Sequence, residues 1–385
     1  MPSHESKNIF PPEKKRLYFS LAIAWTVFAL LVGTVVLLWA LPDAKLPSQQ
    51  KVAVLPTNTA TKSATPSVTP SPRPKATPTP KAKPTTAMPV ATAPVQTITV
   101  SGGPMLHGTN LSLFDGSDQV LNSSATQAML RQMHVGIVRI PMRPSLSEAT
   151  MMQAAQMVKN IGASALIILE RPESGISNAI SNDSSIIADM NTIFGNQVVY
   201  YEYGNESNLA GTPGGTGDPV PYIASWNKNI PILKKLAHNG RFIGPVMYQY
   251  VSSYLSAFLQ GAKPLPDFVS WHEYTCSASS TADYCLLHIN NWGKHDADAR
   301  AVMTGIIGTT LPIMITEWNY TPGDVTGDGK HDNSTFMTQW TKKALQSFSD
   351  NGIYAAMQYS CTNAQIPLVN SNSSLSAQGA VFQSS

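Results

Sequence analysis

Two kinds of apolar segment alternate with polar stretches along this chain. The first is a single long run, Leu17 to Leu41, with no charged residue on any face. The second kind begins after residue 98 and consists of short runs of six to eight residues separated by longer amphipathic stretches. These short runs predict strands at 105–110, 136–142, 164–170, 197–203, 242–248, 267–274, 311–318 and 353–360. Helices are predicted between them near 124–134, 146–161, 184–193, 222–238, 252–261, 295–307 and 334–351. Ser145 and Ser147 stand before the second helix and Asn333 and Ser334 before the last, where side-chain oxygens cap free backbone N–H groups. The strand segments are apolar on both faces, as parallel strands covered by helices must be. Eight strand–helix alternations in residues 98–385 match the roughly 250-residue (β/α)8 barrel. A doubly wound open sheet is the rival. It usually carries a glycine-rich phosphate loop after its first strand, and Gly108-Thr109-Asn110 is not one.

The long run predicts a different element. At about 1.5 Å per residue it makes about 37 Å of helix, enough to cross a hydrocarbon core roughly 30 Å thick. A cleaved signal peptide is the alternative, but its apolar core is normally only about 7–15 residues and ends in small residues. Here the exit reads Trp39-Ala40-Leu41-Pro42, which favours an uncleaved anchor. Lys14, Lys15 and Arg16 abut its start, so the positive-inside bias puts 1–16 in the cytoplasm, 17–41 across the membrane and the rest outside. Residues 42–97 are rich in Pro, Thr, Ser, Ala and Lys and carry no aromatic residue, the composition of a disordered linker. As a polyproline-like spacer such a segment reaches up to about 170 Å.

Charge divides along the same boundary. Residues 1–97 hold 11 Lys and Arg against 3 Asp and Glu, whereas 98–385 hold 15 against 20. The folded part is therefore acidic and lacks the basic face that nucleic-acid binding needs, so no nucleic-acid partner is expected. Charged residues make up only 13% of the chain, about half the usual share, which excludes a coiled coil. Three cysteines are too few for a disulfide scaffold or a four-cysteine zinc site. In an oxidising compartment Cys276 and Cys285 can close a short loop after the sixth strand, with Cys276–Cys361 as the competing pair.

Chemistry in such a barrel is expected at the carboxyl ends of the strands. Arg139 lies on strand 2, Glu170 and Arg171 end strand 3, and Gly204-Asn205-Glu206 follows strand 4. His272-Glu273-Tyr274 closes strand 6 and Thr316-Glu317-Trp318-Asn319 closes strand 7. Two carboxylates from two strands are what glycosidic bond cleavage requires, one as proton donor and one as nucleophile or base. An Arg beside a carboxylate keeps it ionised, which suits Arg139 to Glu317. By strand parity Glu202 shares a side with Glu206 and can also pair with Arg139, while Glu170 and Glu273 are spare.

These residues carry a resemblance. The chain resembles the clan A retaining glycoside hydrolases, in which the acid/base follows an Asn at the end of strand 4 and the nucleophile ends strand 7. LPIMITEWN is similar to the strand-7 segment of glycoside hydrolase family 39, and YEYGNESN to the G-N-E form of the arabinofuranosidase and glucuronidase families. The resemblance implies Glu206 as acid/base, Glu317 as nucleophile and Asn205 on the sugar 2-hydroxyl, with a carbohydrate substrate; with the apolar run 17–41, a membrane-anchored monomer is expected. Tyr274 would orient Glu317, His272 would tune the same network, and Trp318, Tyr320 and Tyr359 are candidate sugar-stacking rings. Two positions depart from the pattern: Ser207 follows the acid/base where Pro is common, and strand 8 offers Met357-Gln358-Tyr359 in place of a Trp. A transglycosylase and a non-catalytic polysaccharide-binding barrel are the alternative functions. No cofactor is expected. The exception is a structural calcium at Asp324, Asp328 and Asp332, where oxygen ligands alternate around a Gly, although Thr335 stands where a Glu would complete the site.

Overall fold

A computed structural model describes residues 104–141, 146–212 and 214–385. The anchor expected at 17–41 and the linker at 42–97 lie outside these residues. The eight predicted strands are all present: β1 (Leu106–Asn110), β2 (Ile137–Ile140), β3 (Ser164–Leu169), β4 (Val199–Tyr203), β5 (Gly240–Ile243), β6 (Val269–Tyr274), β7 (Ile313–Asn319) and β8 (Ala355–Gln358). Every ladder is parallel, in the order β5-β4-β3-β2-β1-β8-β7-β6. The ring closes where Ile243 meets Phe268 and Met247 meets Trp271, with His272 N–H donating to the Met247 carbonyl at 2.8 Å. This is the (β/α)8 barrel.

β5 is shorter than the apolar run 242–248 predicts. Pro245 has no N–H to give to a ladder, and Val246 takes a left-handed φ of 56°, so the strand stops at Ile243. The chain leaves the ladder there and rejoins it at Met247, beside β6.

The helices follow the expected alternation: α1 (Gln119–Asn122), α2 (Ser124–Gln132), α3 (Glu148–Asn160), α4 (Ala179–Phe194), α5 (Pro219–Leu236), α6 (Ser252–Gly261), α7 (Ala282–His288), α8 (Trp292–Ile307), α9 (Ser334–Asp350) and α10 (Ala377–Gln383). Ser147 caps α3 by accepting from Thr150 N–H, and Asn333 caps α9 by accepting from Phe336 N–H, as their sequence positions predict. Helices α1, α7 and α10 were not foreseen, being too short to show a period. Each is instead started by a capping side chain, Asp118, Thr281 and Ser376 respectively.

Two apolar layers result. Ile137, Leu166, Tyr200, Ile243, Phe268, Met314 and Met357 fill the barrel interior near the amino ends of the strands. Gly108 on β1 leaves them room, since a Cβ there would lie 2.6 Å from Ile137 Cγ2 and 2.7 Å from Met357 Cγ. The larger layer lies between strands and helices and includes Trp226, Trp318, Trp340 and Phe258, all fully buried. Each such side chain contributes about 1.5–3 kcal/mol through burial. The plug inside the barrel forms a floor, and polar groups gather above it.

Candidate active site

Side chains alternate along a strand, so the residue two beyond a floor residue points into the barrel one layer higher. Ile137 in the floor raises Arg139 on β2, and Tyr200 raises Glu202 on β4. Gly108 raises Asn110 on β1, and on β6 Ser270 is followed by His272 and Tyr274. On β7 the alternation is broken. Ile315 pairs with Trp271 but Glu317 pairs with His272, so Thr316 is an extra residue, a β-bulge. The bulge turns Glu317 inward and sends Trp318 outward. Asn110 holds it, donating its amide to the Thr316 carbonyl at 3.0 Å.

The turn after β4 brings the second carboxylate. Gly204 has φ 84°, and a Cβ on it would lie 2.3 Å from Arg171 Nε, so only Gly fits. Asn205 and Glu206, the latter at φ 49°, then project over the barrel mouth, both half-buried.

Arg139 is the hub. It is 1% exposed and donates from Nε to Glu202 at 2.6 Å, from Nη1 to Glu317 at 2.5 Å and to Asn110 at 3.1 Å, and from Nη2 to Asn205 Oδ1 at 2.7 Å. Because Asn205 accepts through its oxygen, its amide NH2 faces away from the guanidinium. Ser270 donates to the other Glu202 oxygen at 2.8 Å. Tyr274 donates to Glu317 Oε2 at 2.9 Å. His272 Nδ1 lies 3.0 Å from Glu206 Oε1 and 3.6 Å from Glu317 Oε2, bridging the two carboxylates.

Burial alone would raise the Glu317 carboxyl. The charges of His272 and Arg139 and the hydrogen bonds from Tyr274 and Arg139 outweigh it and hold Glu317 below the usual carboxylate range. Burial would likewise lower His272, but Glu317 and Glu206 outweigh it and raise the imidazole above its ordinary value. The arrangement therefore keeps one carboxylate ionised beside a second that leans on an imidazole at the open edge.

The structure thus brings Arg139, Asn205, Glu206, His272, Tyr274 and Glu317 together. Tyr359 is also at the mouth, half-buried and close to Tyr274. Trp318 and Tyr320 are not. Trp318 is fully buried among Trp340, Phe348 and Phe382, and Tyr320 packs on Phe336 and Trp340, so both rings belong to the core behind the strands and offer no face to a sugar. The spare carboxylates are engaged elsewhere: Glu170 accepts from Asn182, and Glu273 from Trp271 and near His295. Sequence reasoning missed Asn110, although its position two beyond Gly108 marks it as inward. It also missed Tyr248, an aromatic residue just past the β5 kink.

Donor atoms of Glu206, His272 and Glu317 lie within 4.8 Å of one another, and no other group of three or more acidic, His or Cys side chains among the described residues comes as close. A divalent cation there would face the buried Arg139 guanidinium and would compete with Arg139 and Tyr274 for both Glu317 oxygens, so these residues fit a metal poorly. In the Asp324–Asp332 loop an ammonium group sits among the oxygens. Lys330 Nζ donates to the carbonyls of Ala278 at 2.6 Å and Ser280 at 2.8 Å and lies 3.4 Å from the Asp328 carboxylate. Asp328 also accepts from Tyr320 and backbone N–H groups, while Asp332 is largely exposed. Cys276 and Cys285 form a disulfide and Cys361 is free and buried.

No protein-family model matches the chain, and no curated protein matches it in sequence. Solved structures do match in fold. A GH39 β-xylosidase from Caulobacter crescentus superposes with a TM-score of 0.51 at 14% identity, over 73% of this chain and 71% of that one. A family 51 α-L-arabinofuranosidase from Bifidobacterium longum gives 0.55 at 13% identity, over 73% and 74%. A glycoside hydrolase family 30 subfamily 8 xylanase from Clostridium acetobutylicum gives 0.51 at 12% identity, over 73% and 71%. The structural neighbours are clan A glycoside hydrolases, and the (β/α)8 barrel is what this chain shares with them.

Proposed function

We propose that the barrel is a glycosidase that cleaves O-glycosidic bonds of an oligo- or polysaccharide with retention of configuration. One observation carries the reading: two carboxylates that meet over the barrel mouth from β4 and β7, their oxygens no more than 4.8 Å apart, in unlike surroundings. Retaining enzymes keep their carboxyl groups about 5–5.5 Å apart, and inverting ones about 6.5–9.5 Å to admit a water. An approach this close supports the retaining arrangement.

Glu317, kept ionised by Arg139 and Tyr274, attacks the anomeric carbon. Glu206 gives its proton to the leaving oxygen, and the leaving group departs with a glycosyl–Glu317 ester left behind. Glu206 then takes a proton from water, which opens the ester and releases the sugar. The Asn205 amide, its orientation fixed by Arg139, donates to the sugar 2-hydroxyl. The structural likeness to a xylosidase, a xylanase and an arabinofuranosidase supports a carbohydrate substrate. The sequence of 1–97 supports an anchored enzyme acting outside the membrane on a wall or extracellular glycan.

Stereochemistry with azide tests the roles. Glu317→Ala should lose turnover, and azide entering the vacated face should yield a glycosyl azide of inverted configuration. Glu206→Ala should hurt poor leaving groups most, and azide should yield a product of retained configuration. Near-native rates in both variants would sink the assignment. A parent protein that binds a glycan tightly and cleaves nothing would favour the non-catalytic barrel.

A further inference from the structure

The kink that ends β5 delivers a residue to the mouth that the mechanism above does not use. Gly244, Pro245 and Val246 turn the chain out of the ladder, Met247 rejoins β6, and Tyr248 emerges next. It stands in the arc between β4, which carries Glu206, and β6, which carries Tyr274. Both neighbours fix it. Asn208, two residues past Glu206, accepts from Tyr248 N–H at 2.7 Å. Gln249 donates to the Tyr274 carbonyl at 3.3 Å. The Tyr248 ring stacks on the Tyr274 ring with centroids 6.2 Å apart and an interplanar angle of 30°. Tyr274 is the phenol that holds Glu317, so the stack continues the wall of the site outward on the Glu206 side.

The hydroxyl of Tyr248 is the unusual part. No side chain among the described residues takes it in a hydrogen bond, whereas the Tyr274 hydroxyl is committed to Glu317. Burial, with the charges of Glu206 and Glu317, pushes the phenol up to about 12, so it stays protonated and able to donate at any ordinary pH. A half-buried ring on a fixed backbone, with an uncommitted donor beside two reacting carboxylates, is built to meet a ligand.

The side on which it stands gives the ligand. Glu206 must reach the oxygen of the departing group, so that group lies over β4 and the segment beside it. The sugar attacked by Glu317 lies toward Arg139 on β2 and Tyr359 past β8, the side to which Arg139 ties the Asn205 side chain. We propose that Tyr248 is a substrate-contacting residue of the leaving-group half of the cleft. Its ring faces the leaving group and its hydroxyl donates to a hydroxyl on it, so the preferred substrate has a sugar as leaving group. The inference rests on the glycosidase reading and deepens it by assigning a residue that holds the departing sugar.

Glycosyl fluorides separate the two halves of the cleft, because fluoride departs without touching a leaving-group wall. The full-length chain, Tyr248→Phe and Tyr248→Ala would be assayed on xylosyl, arabinofuranosyl and glucosyl fluorides and on the matching trisaccharides. For the trisaccharide that the parent cleaves, kcat/KM should fall about 3–10-fold in Tyr248→Phe, the loss of one neutral hydrogen bond. The fall should be larger in Tyr248→Ala, and Tyr248→Trp should recover part of it by restoring a ring. Both kinetic constants for the fluoride should stay within about twofold of the parent, the scatter expected where no contact is lost. Equal losses on fluoride and trisaccharide would overturn the proposal, since Tyr248 would then act on the attacked sugar or through Tyr274. Unchanged trisaccharide cleavage in both variants would overturn it too. In either case a parent active on the fluoride leaves the glycosidase reading standing, whereas a parent that cleaves neither class refutes that reading and this proposal together.

Discussion

Replacing Arg139 by Met should damage stability and activity together, with a pH signature that identifies the cause. Met approximates the apolar length of the Arg stem but has no charge. The change would leave Glu202, which is fully buried, and Glu317, which is 9% exposed, without their cation, and Asn110 and Asn205 without a donor. Removing one partner from a buried ion pair costs about 3–5 kcal/mol, because the remaining charge is stranded in a medium that solvates it poorly. The sign of the pH dependence follows from linkage. In the parent, Glu317 is held below its usual range, so its contribution is present above the unfolded value, about 4.3, and is lost as pH falls through the lower folded value. In the variant the same carboxylate loses Arg139, its folded value rises, and it takes up a proton as pH falls, relieving the strain. The stability difference should therefore be widest near pH 7 and narrow towards pH 4. Urea unfolding followed by tryptophan fluorescence can measure it, with buried Trp226, Trp271, Trp318 and Trp340 as reporters. Arg139→Met/Glu202→Leu should recover part of the loss, since an apolar pair strands one carboxylate fewer. A deficit under about 1 kcal/mol at pH 7, the size of an exposed ion pair, would refute the reasoning. So would a deficit that is the same at pH 4.

Tyr274→Phe removes a hydrogen bond to a charged carboxylate, worth about 1.5–3 kcal/mol. The acid limb of the kcat/KM profile should move up by about 1–2 pH units, because Glu317 must be ionised to attack; an unmoved limb would remove Tyr274 from that role. Gly204→Ala and Gly162→Ala form a controlled pair. Both glycines sit near φ 80°, but a Cβ at Gly162 meets nothing within 4 Å while one at Gly204 strikes Arg171. Gly162→Ala should cost only the left-handed backbone term, about 1–2 kcal/mol. Gly204→Ala should cost more and should also lower activity by displacing Asn205 and Glu206. Equal losses in a denaturation series would mean that Arg171 yields without resistance.

Most strands were legible because they are buried on both faces and so are written as mainly apolar runs. The cap residues Ser147 and Asn333 were legible because capping is a local matter of one side chain and one N–H. Strand parity predicted that Glu202 and Arg139 meet, and they do, since β2 and β4 run without irregularity. The same rule fails on β7. Ile313-Met314-Ile315-Thr316 contains nothing that distinguishes a straight strand from a bulged one, so the outward turn of Trp318 is invisible there. It depends on Asn110, two hundred residues away in sequence. Tyr248 was hidden for a related reason: the run FIGPVMY looks continuous to hydropathy, and only the missing N–H of Pro245 announces the break.

The bulge at Thr316 also bears on how this barrel tolerates change. Along an ordinary strand a gained or lost residue exchanges the inner and outer sides of everything that follows in register. Thr316 already stands outside the ladder, so removing it would leave Ile315 outward and Glu317 inward, the alternation of a straight strand. What would exchange the two sides is Thr316 taking a ladder place of its own. A carboxylate would then enter the aromatic layer now occupied by Trp318, and an indole would rise into the ring of Arg139, His272 and Tyr274. The strand end thus carries one residue of slack, pinned by the Asn110 amide, and a deletion at Thr316 straightens the strand without moving the carboxylate off its side.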